Sequence, residues 1–311
     1  MAMLALSGGV GGAKLVAGLA AVLAPHELTV LVNTADDFEH VGLCICPDID
    51  SVLYGLAGLA DPVRGWGRRD EQWNFLATLG ELGGPTWFAL GDRDLALHVY
   101  RTALLKAGQD LTACTATIAR AFGLSVDVLP MCNEPVRTRL ATARGWLEFQ
   151  DYFVRQRCEP RVTAIEYFGA GTARAQPSVV EGLCQNRYDA IVICPSNPLL
   201  SIEPILAVPG MRDALRMTSA PVVAVSPLVG GRALKGPAAK ILTELGLEPG
   251  PSAIADRYAD LLDVLVIDTE DEGAACPGSV QVVTAPTIMH DDAERRALAR
   301  AVIAAANGRP G

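Results

Sequence analysis

The sequence predicts an α/β protein with a Rossmann-like, mainly parallel sheet that carries helices on both faces. Short β-branched runs alternate with helix-like segments, and a glycine-rich stretch follows the first run directly. Parallel strands that are buried on both faces have this continuous apolar character. Half of the 311 residues are hydrophobic and a fifth are charged, which is the composition of a globular protein with a sizeable core.

Six apolar runs are expected to be strands, because their length and β-branched content suit buried strands better than helices. They are Met3–Leu6, Leu28–Asn33, Ala190–Cys194, Val222–Ser226, Val264–Asp268 and Val280–Thr284. A glycine loop, Ser7–Gly12, and a helix, Ala13–Leu23, follow the first strand. A closing helix is expected over Asp291–Asn307, where acidic residues stand at the start.

The segment 61–160 has a different pattern and is predicted to be a largely helical insertion. Helices are expected over Asp70–Leu82, Asp92–Ala107 and Thr112–Phe122, several of which open with a capping Asp or Thr. Residues 1–60 and 161–311 are then expected to form one nucleotide-binding core around it.

Composition excludes several classes of protein. The net charge of -9 argues against general nucleic-acid binding, although it leaves room for a local site for a small anion. The apolar run Leu15–Leu23 is too short to span a membrane, and the N-terminus has no signal-peptide pattern, so a cytoplasmic protein is expected. The eight scattered cysteines include one C-x-C pair, Cys44 and Cys46, and do not predict a disulfide framework.

The glycine loop lies between a predicted strand and a predicted helix. There the backbone can turn tightly, and the N–H groups of the helix start can meet an anion. The loop fits neither the P-loop pattern nor the dinucleotide-binding pattern G-x-G-x-x-G. A plain tight turn is the alternative, and phosphate contact is favoured over it. The candidate phosphate-binding residues are Gly8, Gly9, Gly11, Gly12 and Lys14.

Four carboxylates cluster after the second predicted strand, in the segments Asn33–Phe38 and Cys46–Asp50. Side chains of one charge repel each other unless cations neutralise them. Carboxylate oxygens suit Mg²⁺, which takes one or two carboxylates together with substrate phosphates. The alternative is that Asp48 caps a helix while the other carboxylates are solvated. A metal or substrate site is favoured here.

Further polar residues follow other predicted strands. Ser196 and Asn197 come after one buried strand and Ser226 after another, at the edge where open α/β sheets bind ligands. In the insertion, Arg93 lies between two aspartates and either pairs with them or binds a phosphate. His98 is expected to be a packed helix residue rather than a base, and His40, in the acidic loop, is a better candidate for ligand contact.

These motifs, in this order, resemble the 2-phospho-L-lactate transferase family of coenzyme F-420 biosynthesis. The matching segments are Ser7–Leu15, Asn33–Leu43, Pro47–Tyr54, Gly84–Val99, Phe149–Pro160, Ile193–Leu206 and Ala224–Lys240. The resemblance implies a donor, a three-carbon phospho-acid activated by guanosine diphosphate. It implies transfer to the ribityl hydroxyl of the deazaflavin FO, with release of GMP, a requirement for Mg²⁺ and a homodimer. The acid itself is left open among 2-phospholactate, phosphoenolpyruvate and 3-phosphoglycerate.

The resemblance also implies roles for individual residues. Asp48 and Asp50 are expected to hold Mg²⁺, with either able to act as base, and Arg93 to contact the transferred group. The glycine loop, Lys14, Ser196, Asn197 and Ser226 are expected to bind the nucleotide and its phosphates. The insertion is expected to contribute to the acceptor site. The residues expected around the deazaflavin are Asn33, Asp36, Asp37, His40 and Asp92.

The chain departs from the family pattern at Cys44, Cys46, Ala89 and the triplet Cys132–Glu134, so donor or acceptor specificity stays open. Two other functions also stay open. One is a nicotinamide-dependent oxidoreductase that uses the same glycine loop, against which the absent third glycine counts. The other is a non-enzymatic regulatory protein that binds a nucleotide or nucleotide sugar, of the related gluconeogenesis-factor type.

Overall fold

A computed structural model describes residues 1–233, 236–276 and 280–308. Its strands, in chain order, are β1 (Met3–Ser7), β2 (Leu28–Val32), β3 (Phe38–His40), β4 (Leu43–Ile45), β5 (Asp127–Pro130), β6 (Arg137–Thr142), β7 (Gly145–Glu148), β8 (Val162–Phe168), β9 (Ala190–Ile193), β10 (Val222–Val225), β11 (Leu228–Val229), β12 (Arg232–Ala233), β13 (Val264–Ile267) and β14 (Gln281–Thr284). Its α-helices are α1 (Gly9–Ala20), α2 (Pro47–Leu56), α3 (Asn74–Glu81), α4 (Asp92–Lys106), α5 (Leu111–Ala121), α6 (Pro177–Cys184), α7 (Glu203–Leu206), α8 (Met211–Met217), α9 (Ala238–Glu244), α10 (Pro251–Arg257) and α11 (Asp292–Ala306).

Seven parallel strands form the central sheet in the order β14-β13-β10-β9-β1-β2-β5. The first strand, β1, lies inside the sheet and pairs with β9 on one side and β2 on the other. The predicted Rossmann-like class is confirmed, and each of the six predicted strands is present to within one residue at either end. The carboxyl ends of β1, β2, β9 and β10 therefore lie at one edge of the sheet, where such folds bind ligands.

Side chains of β1 alternate between two apolar clusters, one on each face of the sheet. Leu4 and Leu6 belong to the cluster that includes residues of α6 and α8, while Met3 and Ala5 belong to the cluster that includes residues of α1 and α11. This alternation is the period of two that a strand imposes. Helices therefore cover both faces, as the sequence predicted.

The segment 61–160 contains the three predicted helices, which occupy parts of residues 74–121. The same segment also contains three short strands, β5, β6 and β7, which the sequence analysis did not predict. Strand β5 is an edge strand of the central sheet, and the hairpin β6–β7 joins β8 in a separate antiparallel sheet. These strands have four to six residues and lack a continuous β-branched apolar run, so the sequence alone does not separate them from loops.

No helix in the described part of the chain is both long and apolar enough to cross a membrane.

Helix α1 lies very close to α11 at Gly18. A Cβ on Gly18 would lie 2.3 Å from the carbonyl oxygen of Arg295. This oxygen belongs to the backbone of α11, so relieving the clash would require the helix itself to shift. We expect Gly18→Ala to cost about 3 kcal/mol in overpacking, offset by about 1 kcal/mol of helix propensity. The net loss of about 2 kcal/mol should appear as a lower urea midpoint.

Gly171→Ala is the matched control, because a Cβ at Gly171 meets nothing within 4 Å. Its free energy of unfolding should stay within about 0.5 kcal/mol of the wild-type value, so its urea midpoint should hardly move. Equal midpoints for the two variants would contradict the close packing of α1 on α11.

Candidate functional site

The turn after β1 contacts two other segments at the carboxyl edge of the sheet. The backbone N–H of Gly8 donates to Ser196 Oγ at 3.1 Å, in the loop after β9. The N–H of Gly9 donates to Asp48 Oδ1 at 2.6 Å, in the first turn of α2. The structure thus brings together the glycine turn, Ser196 and Asp48, as the sequence predicted for one crevice.

The glycines are required by close approach. A Cβ on Gly8 would stand 2.6 Å from Asp48 Oδ2, and one on Gly11 would stand 2.4 Å from the carbonyl oxygen of Pro195. Gly9 has a φ of +63°, in the left-handed region that favours glycine. Helix α1 begins at Gly9 rather than at the predicted Ala13, so most of the predicted loop forms the first turn of the helix.

Asn33, at the end of β2, connects two carboxylates. Its Nδ2 donates to Asp48 Oδ2 at 2.9 Å and to Asp36 Oδ1 at 3.2 Å. Its Oδ1 accepts from the backbone N–H of Ala35 at 3.0 Å, which fixes the orientation of the amide. Asn33 is fully buried, so this amide holds Asp36 and Asp48 side by side away from bulk water.

Burial dominates the electrostatics of this cluster. It raises the pKa of Asp48 to about 6, although the hydrogen bonds from Asn33 and Gly9 act in the opposite direction. Burial, and then the neighbouring Asp48 charge, raise the pKa of Asp36 well above its ordinary value. Burial also raises the pKa of Asp37, whose Oδ1 is buried without a hydrogen-bond partner within the described residues. A bound cation would stabilise the ionised form of all three carboxylates.

The carboxylates Asp36 and Asp48 fit a magnesium ion that is shared with a substrate. Across residues 1–233, 236–276 and 280–308, no group of three or more His, Cys, Asp or Glu side chains is arranged to hold a metal alone. Mg²⁺ in proteins commonly takes one or two carboxylates and completes its shell with water and phosphate oxygens. Two adjacent buried carboxylates with raised pKa values could supply the protein ligands of such a site.

Asp50 has a different partner from the one predicted. Its Oδ2 accepts from Arg101 Nη1 at 3.1 Å and its Oδ1 from Nη2 of the same guanidinium. Asp50 is nearly buried and Arg101 is fully buried. The sequence analysis expected Asp50 to hold Mg²⁺. In the structure its carboxylate instead forms an ion pair with Arg101, which joins α2 to α4.

A buried network extends from this ion pair. His98 Nδ1 lies 3.7 Å from Asp50 Oδ2, and His98 Nε2 lies 3.3 Å from Asp94 Oδ2. The hydroxyl of Tyr54 donates to Asp94 Oδ1 at 2.6 Å. His98 is 2% exposed, so it is a packed helix residue, as expected. The network fixes α2, and with it Asp48, against α4.

Other predicted site residues lie outside this cluster. Arg93 is exposed at the start of α4. Asp92 accepts from the backbone N–H of Phe75 at 3.0 Å and so caps α3. Lys14 donates to the carbonyl oxygen of Met289 at 2.5 Å, in the segment between β14 and α11. Asp92 and Lys14 thus make contacts within the protein, while Arg93 lies at the surface.

The loops after β9 and β10 use most of their polar atoms locally. Asn197 Oδ1 accepts from the backbone N–H of Leu199 at 3.0 Å and caps a short π-helical turn. Ser226 Oγ accepts from the N–H of Leu228 at 3.2 Å and is buried. Of the three predicted nucleotide-binding residues in these loops, only Ser196 contacts the glycine turn.

A cavity of about 470 Å³ adjoins the acidic cluster, and Asp36 and Asp37 form part of its wall. The rest of the wall includes aromatic side chains, two arginines and three further acidic residues, Glu39, Glu148 and Asp151. Its main members are Trp87, Trp146, Phe149, Arg137 and Arg155. The Arg155 guanidinium lies 4.6 Å from the centre of the Trp87 ring. His40 packs behind this wall, 5.2 Å from the Trp87 ring centre, and burial lowers its pKa.

The sequence analysis missed several of these residues. Arg137, Arg155 and Phe149 were given no role, although Phe149 and Arg155 lie in the matching segment Phe149–Pro160. Arg101 left one signal: with Asp94 and His98 it forms a polar row on one face of α4, where an apolar stripe is expected.

Several known proteins are similar to this chain. The family model described as 2-phospho-L-lactate transferase CofD matches residues 3–306. The chain is 40% identical over 316 residues to a phosphoenolpyruvate transferase of Kitasatospora aureofaciens, covering 98% of each chain. It is 37% identical over 310 residues to a 2-phospho-L-lactate transferase of Methanosarcina mazei, covering 97% of this chain and all of that one. A solved structure of a UPF0052-family protein from Bacillus halodurans has the same fold, with a TM-score of 0.63 at 16% identity, covering 97% of this chain and 99% of that one.

The ion pair between Asp50 and Arg101 gives a stability prediction. Arg101→Met leaves the Asp50 carboxylate buried without compensation, which should cost about 3 to 5 kcal/mol of unfolding free energy. Adding Asp50→Asn should recover about 2 kcal/mol of that loss, because the unpaired charge is then gone. Urea unfolding followed by circular dichroism measures both changes.

Arg120→Met, at an exposed position of α5, is the matched control and should change stability by less than about 0.5 kcal/mol. If Arg101→Met unfolds at the same urea concentration as this control, Asp50 does not depend on Arg101.

Proposed function

The chain belongs to the 2-phospho-L-lactate transferase family, and on that premise we propose that it transfers a phosphorylated three-carbon acid to the deazaflavin FO. The donor is the acid activated by guanosine diphosphate, the acceptor is the ribityl hydroxyl of FO, and GMP leaves. The product is the phosphodiester of coenzyme F-420 biosynthesis. The proposal is carried by one observation: Asp48 is hydrogen-bonded to the glycine turn, and Asn33 joins it to Asp36, which lines a cavity that also contains aromatic side chains and two arginines.

The donor's diphosphate is assigned to the glycine turn. The first turn of α1 directs backbone N–H groups and the positive end of the helix dipole toward an anion. The nearby carboxylates of Asp36 and Asp48 would repel a diphosphate, so a cation between them is needed. Mg²⁺, held by Asp36 and Asp48, would neutralise the phosphate oxygens when bound. Ser196, next to Gly8, supports the same turn.

The acceptor is assigned to the cavity. Trp87 and Phe149 offer aromatic surface for a planar tricyclic ring. Arg137 and Arg155 supply positive charge at the same wall, where negative charge develops during transfer. A volume of about 470 Å³ is in the range of sites for ligands of this size.

Asp37 is the proposed general base. It lines the cavity, its Oδ1 is buried without a hydrogen-bond partner within the described residues, and burial raises its pKa. The acceptor hydroxyl attacks the β-phosphorus, a new oxygen–phosphorus bond forms, and the bond to GMP breaks. The hydroxyl proton passes to Asp37. The base role moves here from Asp48 and Asp50, because Asp50 is paired with Arg101 and Asp48 is assigned to the cation.

The acid remains to be chosen among 2-phospholactate, phosphoenolpyruvate and 3-phosphoglycerate. The names of the relatives divide between the first two. We propose further that the enzyme acts as a homodimer, which the family resemblance implies, and that it is a cytoplasmic protein. Light scattering at micromolar concentration measures the assembly.

The direct test is an assay with FO, Mg²⁺ and the three guanylated acids in competition, read by mass spectrometry. We expect FO to gain the mass of one phospho-acid unit, with release of an equal amount of GMP. A chain that binds guanine nucleotide but leaves FO unchanged would favour the regulatory alternative. Tight NAD binding without guanine-nucleotide binding would favour the oxidoreductase.

Asp48→Asn tests the assignment of the cation. The substitution removes one of the two proposed cation ligands, so turnover should fall at least about a hundredfold while the fold is retained. The free energy of unfolding should stay within about 1 kcal/mol of the wild-type value, because the removed charge was unfavourably buried. Asp127→Asn, at an exposed position on β5, is the control and should keep full turnover. Comparable turnover in the two variants would refute the assignment.

A further inference from the structure

Two cysteine thiols lie side by side at the start of α2. Cys44 is in β4 and Cys46 is the N-cap residue of α2, so the two are separated by one residue on extended chain and point to the same side. Their sulfur atoms are 3.7 Å apart. Cys46 is completely buried, while Cys44 is partly exposed. A small reagent can therefore reach Cys44 first, with Cys46 directly behind it.

The backbone around the pair is fixed by hydrogen bonds. The N–H of Cys44 donates to Thr102 Oγ1 at 2.8 Å, on α4. The carbonyl oxygen of Cys46 accepts from the N–H of Asp50 at 2.9 Å, within α2. The packing of β4, α2 and α4 thus fixes the backbone on which the two cysteines lie, and this keeps their sulfur atoms close together.

The surroundings also favour the thiolate of Cys44. A hydrogen bond with the Cys46 thiol, together with the charges of Arg101 and Arg137, lowers the pKa of Cys44 to about 7 against the opposing effect of burial. The thiolate is the form that attacks electrophiles. Reactive cysteines in proteins are commonly partly exposed, near positive charge and next to a second cysteine.

We propose that Cys44 and Cys46 form a redox-modification site, at which hydrogen peroxide or a similar small peroxide oxidises the two thiols to an intramolecular disulfide. The sulfur of Cys44 attacks one peroxide oxygen, the O–O bond breaks, and a sulfenic acid and one water form. The sulfur of Cys46 then attacks the sulfur of Cys44, and the hydroxyl leaves as a second water. The two thiols together lose two electrons and two protons to the peroxide.

The bond changes the start of α2. The sulfur atoms must close from 3.7 Å to about 2 Å, which displaces the N-cap of the helix that carries Asp48 and Asp50. A disulfide that closes so short a loop is strained, and strained disulfides are reduced readily. Oxidation should therefore perturb the carboxylate cluster in a way that thiol reductants reverse.

The test uses the full wild-type chain. It is treated with hydrogen peroxide, alkylated, digested and analysed by mass spectrometry. The peptide that contains both cysteines should lose the mass of two hydrogen atoms, resist alkylation, and regain both thiols after dithiothreitol. In Cys46→Ser, the sulfenic acid on Cys44 should persist and be captured by dimedone. Cys184→Ser, at an exposed cysteine, should form the disulfide as wild type does.

Three results would overturn the proposal. Both thiols of the peptide could remain alkylatable after peroxide treatment. Cys44 could proceed to a sulfinic acid in wild type while Cys46 stays reduced. The cysteines could instead form disulfides only between chains, visible on a non-reducing gel. The readout is the mass of the peptide, so it does not depend on the proposed transferase activity.

Discussion

The carboxylate of Asp48 is held between the backbone N–H of Gly9 and the side-chain amide of Asn33, and this contact joins three segments of the sheet edge. It docks the first turn of α2 on the first turn of α1 and ties both to the end of β2. The donors are neutral, and they only partly offset the cost of burying a charge beside Asp36. The arrangement therefore favours a proton or a cation, which is the property that a diphosphate site needs. It also explains why position 8 must be glycine: a side chain there would displace Asp48.

Two carboxylates only two residues apart on α2 have opposite surroundings. Residues with this spacing point in different directions on a helix. Asp48 meets neutral hydrogen-bond donors and another carboxylate, whereas Asp50 meets the guanidinium of Arg101. The negative charge of Asp48 is unfavourable in the protein alone, and a bound cation would stabilise it. The charge of Asp50 is already neutralised by Arg101. The buried network through His98 and Asp94 then holds α2 in the orientation that presents Asp48 to the glycine turn.

The parts of the site that the sequence predicted follow from one rule, the convergence of strand ends in a parallel sheet. That rule placed the glycine turn, the acidic segment and Ser196 together without any distance information. It failed where a residue's partner is distant in sequence, as for Asp50 and Arg101, which are 51 positions apart. It failed also where small polar side chains stabilise their own turns, as Asn197 and Ser226 do. Asp36 and Asp37 of the cavity wall were predicted as site residues, but its arginines were given no role because they lie in short strands and loops that share no periodic pattern.

The central claim is that Asp36 and Asp48 hold a cation against a diphosphate at the glycine turn. Calorimetric titration of GDP, with and without Mg²⁺, tests it directly in wild type and in Asp36→Asn. In wild type, Mg²⁺ should tighten GDP binding by at least about tenfold, roughly 1.4 kcal/mol. In Asp36→Asn this dependence on Mg²⁺ should largely disappear. GDP affinity that is the same with and without Mg²⁺ in wild type would contradict the account.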